Sequence, residues 1–186
     1  EDLPGARFAG EHDTYLGIRG VGDVIKAIKS AMASLFTNRA ISYRVDKGFD
    51  HMKVALSVTI QQMVRSDLGA SGVMFTVDTE SGFKDLLIIN GSWGLGEMIV
   101  QGEVSPDEFF VYKPKLNQSD LIPIIDKRLG VKERKMIYSP GRKGIRPVKI
   151  VATKSGERTA FVLNEAEGLV LARWGVIIED HYTKKH

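Results

Sequence analysis

The residues best suited to chemistry lie in a glycine-rich stretch, with Gly94 and Gly96 just ahead of Glu97. Glycine lets a ligand approach the backbone closely, and amides exposed after a strand can bind a phosphate. The carboxylate of Glu97 would repel a bare phosphate, so it fits such a site only with a divalent cation or a donor group between them. A tight connection with Glu97 in solvent is an equally good interpretation, because the spacing matches neither common glycine-rich phosphate motif.

Other positions could contact a ligand with phosphate groups. Gly10 and Thr14, near the start of the chain, could offer an amide and a hydroxyl, although a structural turn also explains them. Gln61 ends the more polar face of an alternating segment and could reach a ligand, although a surface glutamine is the simpler interpretation. The four histidines are scattered along the chain and suggest no metal cluster.

A cluster of basic residues between 127 and 149 could attract a polyphosphate or a nucleic acid. Tyr138 is the one aromatic residue that interleaves with them, and binding of single strands usually needs several aromatic residues for base stacking. A solvated basic loop is therefore the preferred interpretation of this cluster, and we expect no nucleic-acid partner.

The composition is that of a globular chain with one domain or two small lobes. It has 186 residues, of which 43% are hydrophobic and 26% charged, and its net charge is +3. No apolar run is long enough to span a bilayer, and the first residues do not form a signal peptide, so we expect no membrane partner. The absence of cysteine excludes disulfides and thiol chemistry and is compatible with the cytoplasm. The chain begins without Met, so we expect a fragment of a longer protein.

Helices and strands must position these residues. An apolar stripe predicts a helix over 21–36, and a second helix is expected over 38–47 between Thr37 as N-cap and Gly48 as stop. A capping box of Asn164 and Glu167 starts the last helix. One face of that helix carries Val170, Trp174, Ile177, Ile178 and His181, and His181 is expected to be half-buried. Alternation and turn residues predict strands over 54–64, 70–77, 85–90, 108–113, 121–126 and 134–138, with extended pieces in 148–163.

Several motifs carry a family resemblance. They include Gln-Gln-Met-Val-Arg-Ser-Asp-Leu-Gly-Ala-Ser-Gly-Val-Met-Phe-Thr over 61–76, Gly-Leu-Gly-Glu over 94–97 and Val-Gln-Gly-Glu-Val-Ser-Pro-Asp-Glu-Phe over 100–109. With these motifs the chain resembles the N-terminal ATP-binding domain of the phosphoenolpyruvate synthase (pyruvate, water dikinase) family. The resemblance is strong over 1–113 and 129–138, weak over 139–163, and returns as a pattern over 164–182.

The resemblance implies an α+β fold of the ATP-grasp type. Such a fold has a mixed or antiparallel sheet with flanking helices, here expected to be truncated at both ends. Residues 1–63 would form part of the first lobes up to a hinge. Residues 64–186 would form an incomplete second nucleotide-binding lobe.

The resemblance also implies which residues contact ATP. Gly10 and Thr14 match a phosphate-contacting loop, Gln61 matches a nucleotide-contacting position, and the next three residues match a hinge whose backbone meets the adenine. Glu97 matches the carboxylate of the glycine loop and is a weaker candidate for a magnesium ligand. The full set of implied ATP-binding residues is Gly10, Thr14, Gln61, Gln62, Met63, Val64, Gly94, Gly96, Glu97 and Lys132.

Enzymes of this family convert pyruvate, ATP and water to phosphoenolpyruvate, AMP and phosphate, with Mg²⁺ and a phosphohistidine on a separate domain. The resemblance therefore implies a phosphohistidine domain and a pyruvate-binding barrel as partners in a cytoplasmic parent enzyme, with a homodimer as one hypothesis. The sequence contains neither domain and no catalytic residue, so we expect the chain alone not to turn over. Related dikinases, an antibiotic phosphotransferase with the same ATP domain, and a non-catalytic basic module remain alternatives.

Overall fold

The computed structural model describes residues 13–118, 120–139 and 148–183, together with the backbone of 2–3 and 6–7. The chain divides into two compact units. The first contains Glu1–Val64 and Tyr138–Val148, and the second contains Arg65–Ile137 and Lys149–His186. In the part of the chain that is described, no helix has the length and apolar character that a membrane span requires.

The described part of the first unit contains a small hairpin and two helices. Strands β1 (Asp2–Leu3) and β2 (Ala6–Arg7) pair antiparallel, and helices α1 (Val21–Ala33) and α2 (Asn38–Lys47) follow. Helix α1 is shorter than predicted because Ser34–Phe36 tightens into a 3₁₀ turn.

Local capping signals give helix α2 the bounds that the sequence predicts. The hydroxyl of Thr37 accepts a hydrogen bond from the amide of Ala40. Gly48 ends the helix in the left-handed conformation, with φ of 70°, which glycine adopts without strain.

The predicted strand over 54–64 is wrong, because no described strand pairs with this segment. The predicted sidedness is nevertheless present near its start. Val54, Leu56 and Val58 are half-buried, and the residues between them are exposed. The alternating pattern predicts which side chains face the protein. A strand also needs a hydrogen-bonded neighbouring strand, and the local sequence does not show whether there is one.

The second unit contains a four-stranded antiparallel sheet. Its strands lie side by side in chain order, and each pairs with the next one along the chain. The strands are β3 (Ala70–Phe75), β4 (Leu86–Trp93), β5 (Asp107–Tyr112) and β6 (Ile124–Arg128). An α+β fold with an antiparallel sheet and flanking helices is thus present, as expected.

Two short helices and a two-stranded sheet accompany the four-stranded sheet. Helix α3 (Glu97–Val100) follows β4, and strands β7 (Arg134–Tyr138) and β8 (Val148–Ala152) form a two-stranded sheet. Strand β7 has the predicted bounds. The extended pieces predicted over 148–163 end at Ala152, because the next residues form helix α4 (Ser155–Arg158).

Helix α5 (Glu165–Thr183) packs against one face of the sheet and closes the hydrophobic core. Asn164 and Glu167 exchange the two hydrogen bonds of the predicted capping box, at 2.8 and 2.9 Å. Near the end of the helix, the Lys113 ammonium donates to a carboxylate oxygen of Glu179 at 2.8 Å and to the carbonyl of Thr76 at 2.7 Å. The buried core consists of Leu87, Ile89, Phe109, Val111, Leu116 and Ala172.

The packed face of α5 is not the apolar face that the sequence suggests. The buried residues are small, Gly168, Ala172 and Gly175, and they let the helix backbone approach the sheet closely. Four large members of the predicted face, Val170, Trp174, Ile177 and Ile178, are exposed. His181 is exposed as well, so its predicted half-burial is wrong.

The close approach at Gly175 predicts a stability loss for a larger residue there. A Cβ at this position would lie 2.8 Å from Leu87 Cδ1 and 2.9 Å from the Met74 thioether. Gly175→Val should therefore lower the free energy of unfolding by about 1–3 kcal/mol through overpacking, measured by urea unfolding. Ala166→Val, at an exposed position of the same helix, is the control. An equal loss in both variants would contradict the overpacking argument.

Candidate nucleotide-binding site

A cavity of about 440 Å³ lies within the first unit. Its apolar wall comes from helix α1, which presents Val24, Ala27, Ile28 and Ala31. The rest of the lining comes from the loop around residues 13–18 and from the extended segment 56–63. Small-molecule sites typically measure roughly 300–1,000 Å³ and combine apolar walls with a few polar groups. The cavity therefore has the size and character of a site for a small organic ligand.

The polar groups of this cavity lie on the loop and on the extended segment. They include the hydroxyls of Thr14 and Thr59, the amide of Gln61 and the carboxylate of Asp13. The Tyr15 hydroxyl donates to Asp13 Oδ2 at 3.4 Å. The lining thus combines hydrogen-bonding residues with an apolar helix, as a ligand with a planar ring and polar substituents would require.

Three of the sequence-predicted ATP contacts meet in this cavity. Thr14, Gln61 and Met63 all line it, although more than forty residues separate the first from the other two. Gln62 and Val64 do not line it, and both side chains are exposed. Gly10 lies outside the described residues. The wall that α1 supplies was not among the sequence-predicted contacts, because its apolar stripe is indistinguishable from an ordinary core face.

Hydrogen bonds to its backbone groups hold the glycine loop, residues 94–96 in the second unit, in place. Gly94 has φ of 87°, and its amide donates to the carbonyl of Gly69 at 3.0 Å. The amide of Leu95 donates to the carbonyl of Met136 at 2.9 Å, and the Ser71 hydroxyl donates to the carbonyl of Gly94 at 2.7 Å. The first two amides of the loop are therefore used inside the protein. Any phosphate contact falls to Gly96 and the residues after it.

Glu97 is the first residue of helix α3 and is half-buried. Its Oε1 atom accepts a hydrogen bond from Gln101 Nε2 at 2.9 Å, one turn later. Over residues 13–118, 120–139 and 148–183, no group of three acidic, histidine or cysteine residues could enclose a metal ion. A metal contact by Glu97 therefore stays a prediction.

The ammonium of Lys132 is fully buried, in an ion pair with Asp107. It also donates to the carbonyl of Gly130 at 3.0 Å. The Asp107 carboxylate is fully buried as well, and it accepts from the amides of Gly130 and Val162, both at 2.8 Å. The Lys132 side chain thus holds three chain segments together through Asp107. A phosphate contact by Lys132 stays a prediction, and it would require the ammonium to leave this partner.

Sequence reasoning missed the role of Asp107. A carboxylate that opens an apolar strand is a weak signal, because most aspartates at strand ends are in solvent. The structure gives a clearer indication at Gly130, where an added Cβ would lie 2.2 Å from the carbonyl oxygen of Pro106. A glycine that the backbone itself requires marks a tightly folded turn, and this turn encloses the ion pair.

Trp93, Lys135 and Glu157 form a second polar cluster, next to the glycine loop. The indole Nε1 of Trp93 donates to the carbonyl of Glu157 at 2.7 Å. The Lys135 ammonium donates to both carboxylate oxygens of Glu157 at 2.7 Å. This hydrogen bond from Lys135 holds the pKa of the Glu157 carboxyl below its usual value.

The basic cluster at 127–149 is largely neutralised where the structure describes it. Lys127 pairs with Glu165 at 2.6 Å, and Arg128 pairs with Asp126 at 3.1 Å. The ammonium groups of Lys132 and Lys135 are held as described above. Paired cations attract phosphate weakly, which favours the interpretation of this cluster as a structural surface.

Comparisons with known proteins agree on one family. The sequence model of the family described as pyruvate phosphate dikinase, AMP/ATP-binding domain, matches residues 1–186. A phosphoenolpyruvate synthase of Aquifex aeolicus is 55% identical over 186 residues, which are 100% of this chain and 21% of that protein. Those of Helicobacter pylori and Escherichia coli are 52% and 48% identical, over 100% and 98% of this chain and 22% and 23% of theirs. The chain thus spans less than a quarter of the length of these relatives.

Proposed function

Because the chain belongs to the pyruvate phosphate dikinase AMP/ATP-binding domain family, we propose that it is the ATP-binding part of a phosphoenolpyruvate synthase. The observation that carries this proposal is the cavity of the first unit, where Thr14, Gln61 and Met63 come together. The resemblance assigns these same residues to ATP, and the cavity has the volume for a nucleoside.

The walls of the cavity suggest how a nucleotide is held. The apolar face of α1 and the Met63 side chain offer surface to the adenine ring, whose burial is favourable. The Gln61 amide can both donate and accept, which suits the ring edge or the ribose. The Thr14 hydroxyl can donate to a phosphate oxygen. These groups bind and orient the nucleotide, and in phosphoryl transfer positioning accounts for much of the catalysis.

The glycine loop of the second unit carries the remaining proposed contacts. In this proposal the amide of Gly96 would donate to a phosphate and Glu97 would hold Mg²⁺, with Gly94 shaping the loop. Magnesium commonly takes one or two carboxylates together with substrate phosphates and water, so a single carboxylate fits it. When bound, Mg²⁺ neutralises negative charge on the phosphates.

The relatives are about five times longer than this chain, so the other parts of the reaction belong to the rest of the proposed parent enzyme. There, a histidine on a separate domain would take the phosphoryl group and a barrel domain would pass it to pyruvate. The fold proposed for the ATP-binding part is of the ATP-grasp type, which the antiparallel sheet and its flanking helices support. A cytoplasmic, gluconeogenic, homodimeric parent enzyme completes the proposal.

The cavity assignment predicts that Gln61→Ala and Thr14→Ala each weaken ATP binding about threefold to tenfold, the loss of one hydrogen bond. Calorimetric titration with ATP and Mg²⁺ measures this directly. Gln118→Ala removes the same groups from an exposed site outside the cavity and serves as the control. Affinities equal to wild type in both cavity variants would rule out this cavity as the nucleotide site.

The alternatives have less support. Related dikinases and the antibiotic phosphotransferase share the domain, but the three relatives described above are all named phosphoenolpyruvate synthase. A basic nucleic-acid-binding module is disfavoured because Lys127, Arg128, Lys132 and Lys135 all pair with carboxylates.

A further inference from the structure

We propose that Trp93, Lys135 and Glu157 form a clamp that positions the glycine loop for the nucleotide. The inference rests on the proposed function, and it adds residues that the sequence resemblance does not include. None of the three needs to touch the ligand. Each is a positioning residue that acts through the backbone of residues 94–96.

The clamp begins at the last residue of strand β4. Trp93 is half-buried, and Gly94 follows it directly in the chain. The indole donates a 2.7 Å hydrogen bond to the carbonyl of Glu157, at the end of a contact that spans 64 residues of sequence. The Trp93 side chain is thereby fixed at its backbone, in strand β4, and at its indole nitrogen. This restricts the direction in which the chain continues from the sheet to Gly94.

The second part of the clamp holds Glu157 itself. Its carboxylate receives both hydrogen bonds from Lys135, and the backbone amide of Lys154 donates to it at 3.3 Å. The side chains of Lys135 and Glu157 are only 15% and 30% exposed. An ion pair with two short hydrogen bonds and little exposure is better ordered than an ordinary surface pair.

The third part closes a ring. Met136 follows Lys135 in strand β7, and its carbonyl accepts the 2.9 Å hydrogen bond from the amide of Leu95. The loop is therefore held on its first side by Trp93 through Glu157 and Lys135, and at Leu95 by the next residue of the same strand. The covalent and hydrogen-bonded path Trp93–Glu157–Lys135–Met136–Leu95 returns to the loop where it started.

The consequence for the proposed site concerns Gly96 and Glu97. They are the next residues after the clamped pair, and they carry the proposed phosphate and cation contacts. A loop that is already ordered before binding loses less entropy when the nucleotide binds. Releasing the clamp should thus weaken nucleotide binding even though no contact to the ligand is removed.

The chain offers a built-in probe, because it contains two tryptophans. Trp174 is exposed on α5, so Trp174→Phe leaves Trp93 as the single indole and serves as the reference protein. In this background, Lys135→Met removes the cation and keeps the stem, Lys135→Arg keeps the cation, and Glu157→Gln keeps the shape without the charge. Trp93 emission is recorded without ligand, and ATP with Mg²⁺ is titrated by calorimetry.

We expect Lys135→Met to shift Trp93 emission to longer wavelength and to weaken ATP binding about fivefold to tenfold. Lys135→Arg should restore both values to within about twofold of the reference, and Glu157→Gln should give an intermediate loss. The rescue by arginine separates positioning from general destabilisation. Circular dichroism of each variant verifies that the sheet and helices are retained.

Two outcomes would overturn the clamp. Unchanged emission and affinity in both Lys135→Met and Glu157→Gln would mean that the ring does not order the loop. A shifted emission with unchanged ATP affinity would mean that it orders the loop without serving the nucleotide. A reference protein that binds no ATP would reject the proposed function, and the positioning role with it, whatever Trp93 reports.

Discussion

Lys132→Met is expected to lower the free energy of unfolding by about 3–5 kcal/mol, the usual cost of removing one partner from a buried ion pair. The reason lies in Asp107, which is fully buried together with Lys132. Without the ammonium, two backbone amides still donate to Asp107, from Gly130 and Val162, but its charge is uncompensated. Single domains have about 5–15 kcal/mol of stability in total, so this change removes a large fraction.

Urea unfolding followed by circular dichroism measures the effect. The matched control is Lys127→Met, which breaks an ion pair with Glu165 in which both partners are partly exposed. Pairs of that kind contribute about 0–1 kcal/mol. The double variant Lys132→Met with Asp107→Asn removes both charges and should recover part of the loss. If Lys132→Met lowers the free energy of unfolding no more than Lys127→Met does, the buried ion pair does not hold the three chain segments together as we describe.

Gly94→Ala is expected to have the second-largest effect, on both stability and ATP binding. A side chain at φ of 87° costs about 1–3 kcal/mol in backbone conformation alone. The added Cβ would also lie 2.4 Å from the carbonyl oxygen of Met136, which is backbone and cannot rotate away. That carbonyl is the acceptor for Leu95, so relieving the clash breaks the bond that orders the loop. We expect ATP affinity to fall more than tenfold.

Gly102→Ala separates the two causes. Gly102 has φ of 69° but nothing within 4 Å of an added Cβ, so it reports the backbone cost alone. The difference in unfolding free energy between the two variants is the contribution of the Met136 contact, and calorimetry with ATP and Mg²⁺ gives the effect on binding. Equal losses in stability and unchanged ATP affinity would exclude a role for this contact.

The elements that the sequence predicts well are those whose signals are local. The bounds of α2 follow from a hydroxyl at Thr37 and a glycine at Gly48, and the start of α5 follows from Asn164 and Glu167. The strand predicted over 54–64 is wrong because a strand depends on pairing with another strand, which can lie far away in the chain. The prediction of the packed face of α5 is wrong because the residues buried there are small, with Leu169, Leu171 and Val176 packing beside them, while the large apolar residues of the predicted face are exposed.

The candidate site shows the same division. The resemblance supplied Thr14, Gln61 and Met63, and the cavity brings them together, but the α1 wall depends on tertiary packing. For Lys132, its burial in the folded protein decides whether the ammonium can contact a ligand. The resemblance makes Lys132 a candidate phosphate ligand, and only the structure shows that its ammonium is already paired with Asp107 inside the protein.

The four-stranded sheet has a consequence for the way the second unit folds. Its strands follow one another in space as they do in the chain, so each can pair with a neighbour made just before it. Pairings between nearby segments close short loops at little entropic cost, and folding rates rise as contacts become more local. Helix α5 is the exception: it comes after all four strands, and its Gly175 reaches back to Leu87 on the second of them. Rapid pairing of the strands, followed by a slower docking of α5, is the folding order that this arrangement favours.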